Sequence, residues 1–354
     1  MTLMASIVVL GAALGGLQTA LLLAADGHQV TVLERDPHPA PSDPDAVWSH
    51  WHRPGIPQLR LTHLPLARWL QLAEAHLPAL VAQMTEAGAV RMNVLAPEPG
   101  LRGGLLAADA RFDTLAARRC LLEHAATRAA VAAGVRIERG IVCRGLRSPG
   151  GGRITGPPAP GRRAPHVTGV ETSTGPLEAD LVVDCTGRRS LLPSWLRDIG
   201  VPGPVEEVGR RGFTYCCRYF RSADGALPAR TFPLLAEHGS LGLLRIRADH
   251  GTYSLGLISR SDDHELRRLL RHERAWSAAV RRFPGADAWL EGPAHHRRRP
   301  DHGRPHRPQA DPVRRRRRTP LCHRAGGRRR RVGGHRADHR AWAGDEPAAQ
   351  CAAA

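Results

Sequence analysis

The sequence predicts an α/β fold with a Rossmann-like dinucleotide-binding domain, a second domain built on an antiparallel sheet, and a disordered Arg-rich tail. Three observations predict it. A strand–turn–helix–strand unit opens the chain, alternating apolar residues follow position 200, and the last 64 residues hold 17 Arg against 6 acidic residues. In a chain of 354 residues these observations divide the sequence into segments 1–200, 201–290 and 291–354.

The opening unit begins with a short apolar strand at residues 6–10. A turn rich in small residues follows, then an apolar helix that Gly27 ends, and a second strand at residues 29–33. This order and length are typical of a βαβ unit that binds a dinucleotide. Gly11 permits the tight turn, Gly15 keeps the helix start small, and Gly16 lets helix and strand approach closely.

Glu34 follows the second strand and lies 18 residues beyond Gly16. A carboxylate there is expected to accept a hydrogen bond from a ribose hydroxyl and to repel a 2′-phosphate. Ala13 departs from the pattern, because it stands where the second glycine belongs and its methyl group crowds the approach of a phosphate. An ordinary αβ turn rich in small residues is the alternative interpretation.

From Gly11 to Asp36 the chain resembles FAD-dependent oxidoreductases of the p-hydroxybenzoate hydroxylase type, which include flavin monooxygenases, geranylgeranyl reductases and halogenases. Residues 33–36, Leu-Glu-Arg-Asp, match the ending of their first motif. The resemblance runs from residue 5 to about residue 290. It implies FAD as the cofactor, with these residues binding it: Gly11, Ala13, Gly15, Gly16, Glu34 and Arg35.

Three further segments carry the same resemblance. Residues 118–123 resemble the helix "RRxLL(D/E)", which implies that Arg119 approaches the flavin, and a surface ion pair is the alternative. Residues 180–190 resemble the second flavin motif, which assigns Asp184 and Gly187 to the cofactor. Residues 51–63 resemble a loop that folds over the flavin in one bacterial branch, and its candidate flavin-loop residues are Gln58, Arg60 and His63.

The residues around the second motif also have a physical interpretation of their own. Residues 181–183 are apolar and are expected to form a fully buried strand. Asp184 and Gly187 then lie at its carboxyl end, where nucleotides bind in parallel sheets.

The segment 201–290 is predicted to form an antiparallel sheet followed by helices. Phe213, Tyr215, Cys217 and Tyr219 alternate along one strand, and strands at 239–246 and 252–259 continue the meander through a turn at 249–251. Asp262 and Glu265 form a capping-box pattern that predicts a helix through Leu270. Because flavoenzymes of this type bind substrate against such a sheet, Tyr215 and Tyr219 are candidate pocket residues, with a role in the core as the alternative.

The resemblance implies an oxidoreductase that hydroxylates or reduces a small hydrophobic, aromatic or isoprenoid-like substrate. No catalytic residue is assigned. NAD(P)H is a candidate reductant, although the chain has no second βαβ unit for it. The alternative from another class is a non-enzymatic nucleotide-binding protein with an Arg-rich, nucleic-acid-binding tail.

The composition argues against metal and membrane sites. The seven cysteines include no CxxC pair, so neither a zinc site nor a disulfide framework is expected, and a reducing cytoplasm fits best. The apolar stretch 6–24 lacks a basic flank and contains three glycines, so no membrane span is expected.

The tail has too few apolar residues to form a core, and it lacks the third FAD motif, Gly-Asp followed by a helix, that the resemblance requires after residue 300. Two interpretations remain open. The Arg runs at 314–318 and 328–331 would neutralise nucleic-acid phosphates. Alternatively, the codons are read out of frame from near residue 295, since a shift to the +1 frame permits aliphatic residues and a Gly-Asp motif. If the codons are read out of frame, the basic tail is an artefact and nucleic acid is not expected as a partner.

Overall fold

The computed structural model describes residues 4–95, 104–149, 166–199, 201, 204, 212–222, 225, 227–228 and 233–290. The predictions for 291–354, including the frame of its codons and its binding of nucleic acid, lie outside the described residues.

The described residues form thirteen strands and nine α-helices. The strands are β1 (Ser6–Leu10), β2 (Gln29–Glu34), β3 (Val90–Asn93), β4 (Asp113–Ala116), β5 (Arg136–Arg139), β6 (Cys143–Arg147), β7 (Gly169–Thr172), β8 (Gly175–Glu178), β9 (Leu181–Asp184), β10 (Phe213–Arg221), β11 (Leu235–His238), β12 (Leu241–Arg247) and β13 (Thr252–Arg260). The helices are α1 (Leu14–Ala25), α2 (Pro44–His50), α3 (Ala67–His76), α4 (Pro78–Glu86), α5 (Arg119–Ala132), α6 (Leu192–Asp198), α7 (His264–Leu269), α8 (Glu273–Val280) and α9 (Asp287–Leu290).

A four-stranded parallel sheet contains the predicted βαβ unit. Its strand order is β5-β2-β1-β9, so β1 lies in the interior of the sheet with β2 and β9 as its neighbours. The two strands and the helix of the unit lie where the sequence predicts them, and Gly27 ends α1 with a positive φ of 85°. The carboxyl ends of β1, β2 and β9 therefore meet at one edge, which is where parallel sheets bind nucleotides.

The side chains of β1 alternate between two apolar clusters. Ile7 and Val9 pack in the cluster that contains α1, α4 and α5. Val8 and Leu10 pack on the opposite face with α6 and the three-stranded sheet β6-β7-β8. Burial on both faces explains why the strand reads as a continuous apolar run.

Strand β9 corrects one prediction. Residues 181–183 were expected to be fully buried, but Leu181 is 47% exposed and Val182 and Val183 are half-buried. Among the described strands β9 pairs only with β1, so it forms an edge of the sheet. An apolar sequence therefore did not distinguish an edge strand from an interior strand.

The second sheet is antiparallel, with strand order β10-β13-β12-β11. One face packs on α7, α8 and α9 through a cluster that includes Leu257, Phe220 and Trp276. The indole Nε1–H of Trp276 donates to the carbonyl of Cys216 at 2.8 Å, which fixes α8 against β10. The opposite face carries Tyr215 and the other odd-numbered residues of β10.

The meander differs in detail from the prediction. The strand expected at 239–246 begins only at Leu241, because Gly239 and Ser240 form the turn that follows β11, a strand the sequence pattern did not reveal. The N-cap of α7 is Asp263 rather than Asp262: its carboxylate accepts from the N–H of Leu266 at 2.9 Å. Asp262 instead forms an ion pair with Arg260, and α7 ends at Leu269.

Two contacts join the antiparallel sheet to the start of α5 and to the loop before α3. The Asp249 carboxylate, in the turn between β12 and β13, accepts from the backbone N–H of Arg118 at 2.6 Å and from its Nε at 2.7 Å. Both side chains are almost fully buried. The Tyr219 hydroxyl donates to the carbonyl of Leu61 at 3.2 Å, and its ring lies 4.7 Å from that of Trp48.

No helix within the described ranges is long and apolar enough to cross a membrane. Across the same ranges, no three His, Cys, Asp or Glu side chains are grouped so that they could hold a metal ion.

Candidate functional site

The turn between β1 and α1 requires glycine at two positions. Gly11 has a positive φ of 97°, and its N–H donates to the carbonyl of Leu33 at 2.8 Å. A Cβ on Gly16 would lie 1.9 Å from the carbonyl oxygen of Gly11, so no side chain fits there. The tight turn thus depends on contact between Gly16 and Gly11, and Cys185 at the end of β9 packs beside both.

The start of α1 is open. Ala13 is the N-cap, with extended backbone (φ −86°, ψ 173°) that alanine adopts without strain, and no side chain caps the helix among the described residues. Gly15 is exposed, and a Cβ there would meet no described atom within 4 Å. The first N–H groups of α1 therefore have no side-chain cap among the described residues, which suits an anionic group such as a pyrophosphate.

Glu34 lies at the end of β2 beside this turn and is buried. Its Oε2 accepts from the N–H of Ala12 at 2.9 Å and from the guanidinium of Arg53 at 2.6 Å, and its Oε1 accepts from the N–H of Asp36 at 2.9 Å. A carboxylate oxygen accepts about two hydrogen bonds. Oε1 therefore keeps one lone pair, so Glu34 can accept from one further donor such as a ribose hydroxyl.

Arg53 pairs with the carboxylates at and around Glu34, and no sequence motif identified it as a site residue. It is buried, and besides Glu34 it pairs with Asp36 at 3.0 Å and lies 3.6 Å from Glu123. Its guanidinium also donates to the carbonyl of Ala12 at 3.3 Å. These partners come from β2, from the turn before α1 and from α5, so no local spacing could have identified them.

Arg139 supplies unused donors at the same edge. It ends β5, and its Cα pairs with that of Glu34 across the sheet. Both terminal guanidinium nitrogens are buried without a hydrogen-bond partner, and burial lowers the pKa of this arginine. Buried donors of this kind are normally satisfied. Together with the open helix start, they fit a ligand that carries oxygen acceptors, as the phosphates and ribose of FAD do.

The second flavin motif forms a tight polar turn after β9. The Asp184 carboxylate accepts from the backbone N–H of Thr186 at 3.0 Å and from the Thr186 hydroxyl at 2.5 Å, and the Ser190 hydroxyl also donates to it. Gly187 begins a 3-10 turn with a positive φ of 76°. Asp184 thus shapes the turn beside Gly11, while Arg188 is exposed.

Arg119 lies in the first turn of α5 and connects two buried groups. Its Nε donates to Glu123 at 2.9 Å, and its Nη1 lies 3.4 Å from Nε2 of His63. Burial raises the pKa of Glu123, and the nearby Arg119 and Arg53 guanidinium groups oppose that shift. Arg119 therefore forms an ion pair, but with a buried carboxylate rather than at the helix surface, and it also contacts the candidate flavin loop.

The other candidate residues lie in different settings. The Gln58 side chain is exposed, whereas the Arg60 guanidinium donates to the carbonyl of Trp48 at 2.7 Å and so holds the loop to α2. Arg35 is exposed beside Gly55. Neither Gln58 nor Arg35 is drawn into the buried network around Arg53.

The odd-numbered face of β10 borders a cavity of about 250 Å³. Tyr215, Ile258 and Leu235 supply its apolar wall, and Glu237 and Arg260 supply charge. Tyr219 does not line this cavity, because it is buried between Leu61 and Trp48. Of the two tyrosines, only Tyr215 therefore lines this cavity.

No protein-family model matches the chain. Protein Rv3254 of Mycobacterium tuberculosis is 30% identical over 275 residues, which are 72% of this chain and 53% of that protein. The chain therefore spans about half the length of this curated relative.

The solved structures are similar in fold at low sequence identity. PqsL, an FAD-dependent monooxygenase from Pseudomonas aeruginosa, matches with a TM-score of 0.53 at 16% identity, over 81% of this chain and 70% of PqsL. The myxobacterial FAD-dependent chondrochloren halogenase CndH matches with a TM-score of 0.54 at 18% identity, over 82% of this chain and 61% of CndH. The chain thus shares its fold with these two proteins.

Proposed function

We propose that the protein is an FAD-dependent oxidoreductase that acts as a monooxygenase or a reductase. The observation that carries this proposal is the edge where β1, β2 and β9 end. At this edge lie an uncapped helix start, a buried carboxylate with one free lone pair and, on the strand paired with that carboxylate, two unsatisfied guanidinium nitrogens. When bound, FAD would supply the electron transfer that these side chains cannot perform.

The residues present fit the parts of FAD in turn. The N–H groups of Leu14 and Gly15 bind the pyrophosphate, and Oε1 of Glu34 accepts from a ribose hydroxyl. Asp184 and Gly187 hold the turn that flanks Gly11. Arg35 and Ala13 remain proposed contacts of the cofactor on the basis of the resemblance alone.

The proposed substrate is a small hydrophobic, aromatic or isoprenoid-like molecule. The cavity of about 250 Å³ beside Tyr215 has apolar walls and two charged residues, Glu237 and Arg260, which suits a small organic molecule with a polar group. PqsL, whose fold is similar, has been crystallised with 2-aminobenzoylacetate. NAD(P)H is the proposed reductant and the cytoplasm the proposed compartment.

A substitution at Glu34 tests the nucleotide site. Glu34→Ala should weaken FAD binding roughly ten- to a hundredfold, because it removes a charge-assisted hydrogen bond of about 1.5–3 kcal/mol. The dissociation constant is measured by quenching of FAD fluorescence, and thermal melts identify any loss of folding. Glu265→Ala, which changes an exposed carboxylate on α7, is the matched control. If the folded Glu34 variant binds FAD as tightly as the control does, Glu34 has no place in the site.

A further inference from the structure

His63 is held between the antiparallel sheet and helix α5. The neighbouring carbonyl of Leu61 accepts from Tyr219, and a Cβ on Gly256 would lie only 3.2 Å from the hydroxyl oxygen of Thr62. The backbone before His63 is therefore packed against the open face of the antiparallel sheet. The imidazole itself contacts α5, where Arg119 is held in turn by Glu123 at 2.9 Å.

The contact with Arg119 determines the tautomer of His63. A guanidinium can only donate hydrogen bonds, so Nε2, which lies 3.4 Å from Nη1 of Arg119, must be the acceptor. The proton of the neutral imidazole is then on Nδ1. Burial, assisted by the positive charge of Arg119, lowers the pKa of His63 to about 3, so the ring stays neutral at physiological pH.

The Nδ1–H group has no partner within the described part of the chain. No described acceptor lies within hydrogen-bonding distance of it. The residue as a whole is half-buried rather than sealed in the interior. A donor that is fixed in direction, unpaired and accessible is suited to a ligand, because such a donor satisfies an acceptor without reorganisation.

A path of charged contacts indicates which part of a ligand this donor would meet. It begins at the ribose carboxylate Glu34 and continues through Arg53 at 2.6 Å to Glu123 at 3.6 Å. From Glu123 it reaches Arg119 and then His63. Four contacts thus connect His63 to the ribose carboxylate. A ligand that met both residues would have to extend along this network, as a dinucleotide does with its adenosine half at Glu34 and its flavin half at His63.

We propose that His63 is a hydrogen-bond donor, through Nδ1–H, to an acceptor atom of the flavin ring system, and that Arg119 fixes the tautomer that makes this possible. This inference rests on the proposed function, because it needs FAD as the ligand. His63 does not exchange a proton in this role. It orients the ring and stabilises electron density that develops on the acceptor.

Nitrogen-15 NMR of the histidine side chains tests both parts of the inference. In the free protein, His63, assigned by its absence from His63→Asn, should show a neutral ring protonated on Nδ1. Adding FAD should shift the Nδ1 resonance, whereas adding ADP, which lacks the flavin, should leave it unchanged. An Nε2-protonated or charged ring overturns the proposal, as does an equal shift with ADP.

A pair of variants provides a second measurement. Asparagine carries its amide nitrogen on Cγ, as histidine carries Nδ1, so His63→Asn keeps a donor while His63→Leu removes it. FAD should bind about 2- to 10-fold more weakly to His63→Leu than to His63→Asn, as expected for one neutral hydrogen bond. Equal affinities in two folded variants overturn the proposal for His63 alone. Failure of the unaltered chain to bind FAD overturns the proposed function as well.

Discussion

The ionisation of His63 gives stability a dependence on pH. In the unfolded chain a histidine titrates near pH 6.5, but in the folded protein the pKa of His63 is about 3. Between these values the unfolded state binds a proton that the folded state excludes, so stability rises with pH there and is lost as pH falls. The slope contributed by this single group is at most about 1.4 kcal/mol per pH unit.

Replacing His63 should remove that contribution. The free energy of unfolding of His63→Asn, measured by urea titration from pH 4 to pH 7, should fall less steeply with decreasing pH than that of the unaltered protein. His264→Asn is the control, since His264 is exposed. If the free energies of unfolding of the unaltered protein and of His63→Asn change with pH in parallel over this range, His63 is not buried in its neutral form.

Single residues also mark the limit of what the sequence could predict. Gly11, Gly16 and Glu34 belong to one local motif, so their spacing identified them. Arg53 could not be identified in that way, because its partners Glu34 and Glu123 lie 19 residues before it and on a separate helix. Charge pairing in the interior depends on which chain segments the fold brings together, and no spacing in the sequence records it.

At the level of elements, the turn before α1 allows a matched pair of substitutions. Gly16→Ala should lower the free energy of unfolding by about 1–3 kcal/mol or more, because the new Cβ would lie 1.9 Å from the carbonyl oxygen of Gly11. Gly15→Ala, one residue earlier, adds its Cβ to open space and should leave stability unchanged or slightly raised. Chemical denaturation of both variants measures the difference. Equal losses would contradict the described turn.

The contact between α5 and the turn after β12 provides another test. Asp249→Ala should cost about 3–5 kcal/mol of stability, since it removes the close carboxylate of the buried Arg118 guanidinium and leaves it with Asp45 at 3.8 Å. Asp262→Ala breaks an ion pair with Arg260 at the surface and should leave the free energy of unfolding unchanged. Thermal and urea denaturation compare the two, and a loss of similar size in both variants would argue against a buried pair at Asp249.

The elements themselves were predicted to different extents. The βαβ unit and the alternation along β10 were predicted correctly, since glycine turns and a period of two are local signals. The burial of β9 and the N-cap of α7 were predicted wrongly. Leu181 is exposed because β9 lies at the edge of its sheet. Asp263 rather than Asp262 caps α7, and Asp262 pairs instead with Arg260 at the end of β13. Neither cause is visible in a short window of sequence.

For the whole molecule, the decisive prediction concerns the frame of the codons from near residue 295. If the +1 frame is restored there, the product should be more soluble and bind FAD more tightly than the 354-residue chain, because it regains the Gly-Asp motif. Flavin content per chain and the fraction of soluble protein measure both effects. An early stop codon, or no Gly-Asp motif, in the +1 frame of the gene contradicts the prediction. Salt-sensitive retention of RNA that is lost on deleting 291–354 would instead support a basic nucleic-acid-binding tail.

The pair formed by Arg118 and Asp249 also affects the order in which the chain folds during its synthesis. The two residues are 131 positions apart in the chain. At a synthesis rate of roughly 5–20 residues per second, Arg118 leaves the ribosome about 7–26 s before its partner. Until Asp249 arrives, the guanidinium has to stay hydrated, so the start of α5 cannot close into its final interior. The N-terminal half of a newly made chain therefore waits for the other half before it can finish folding.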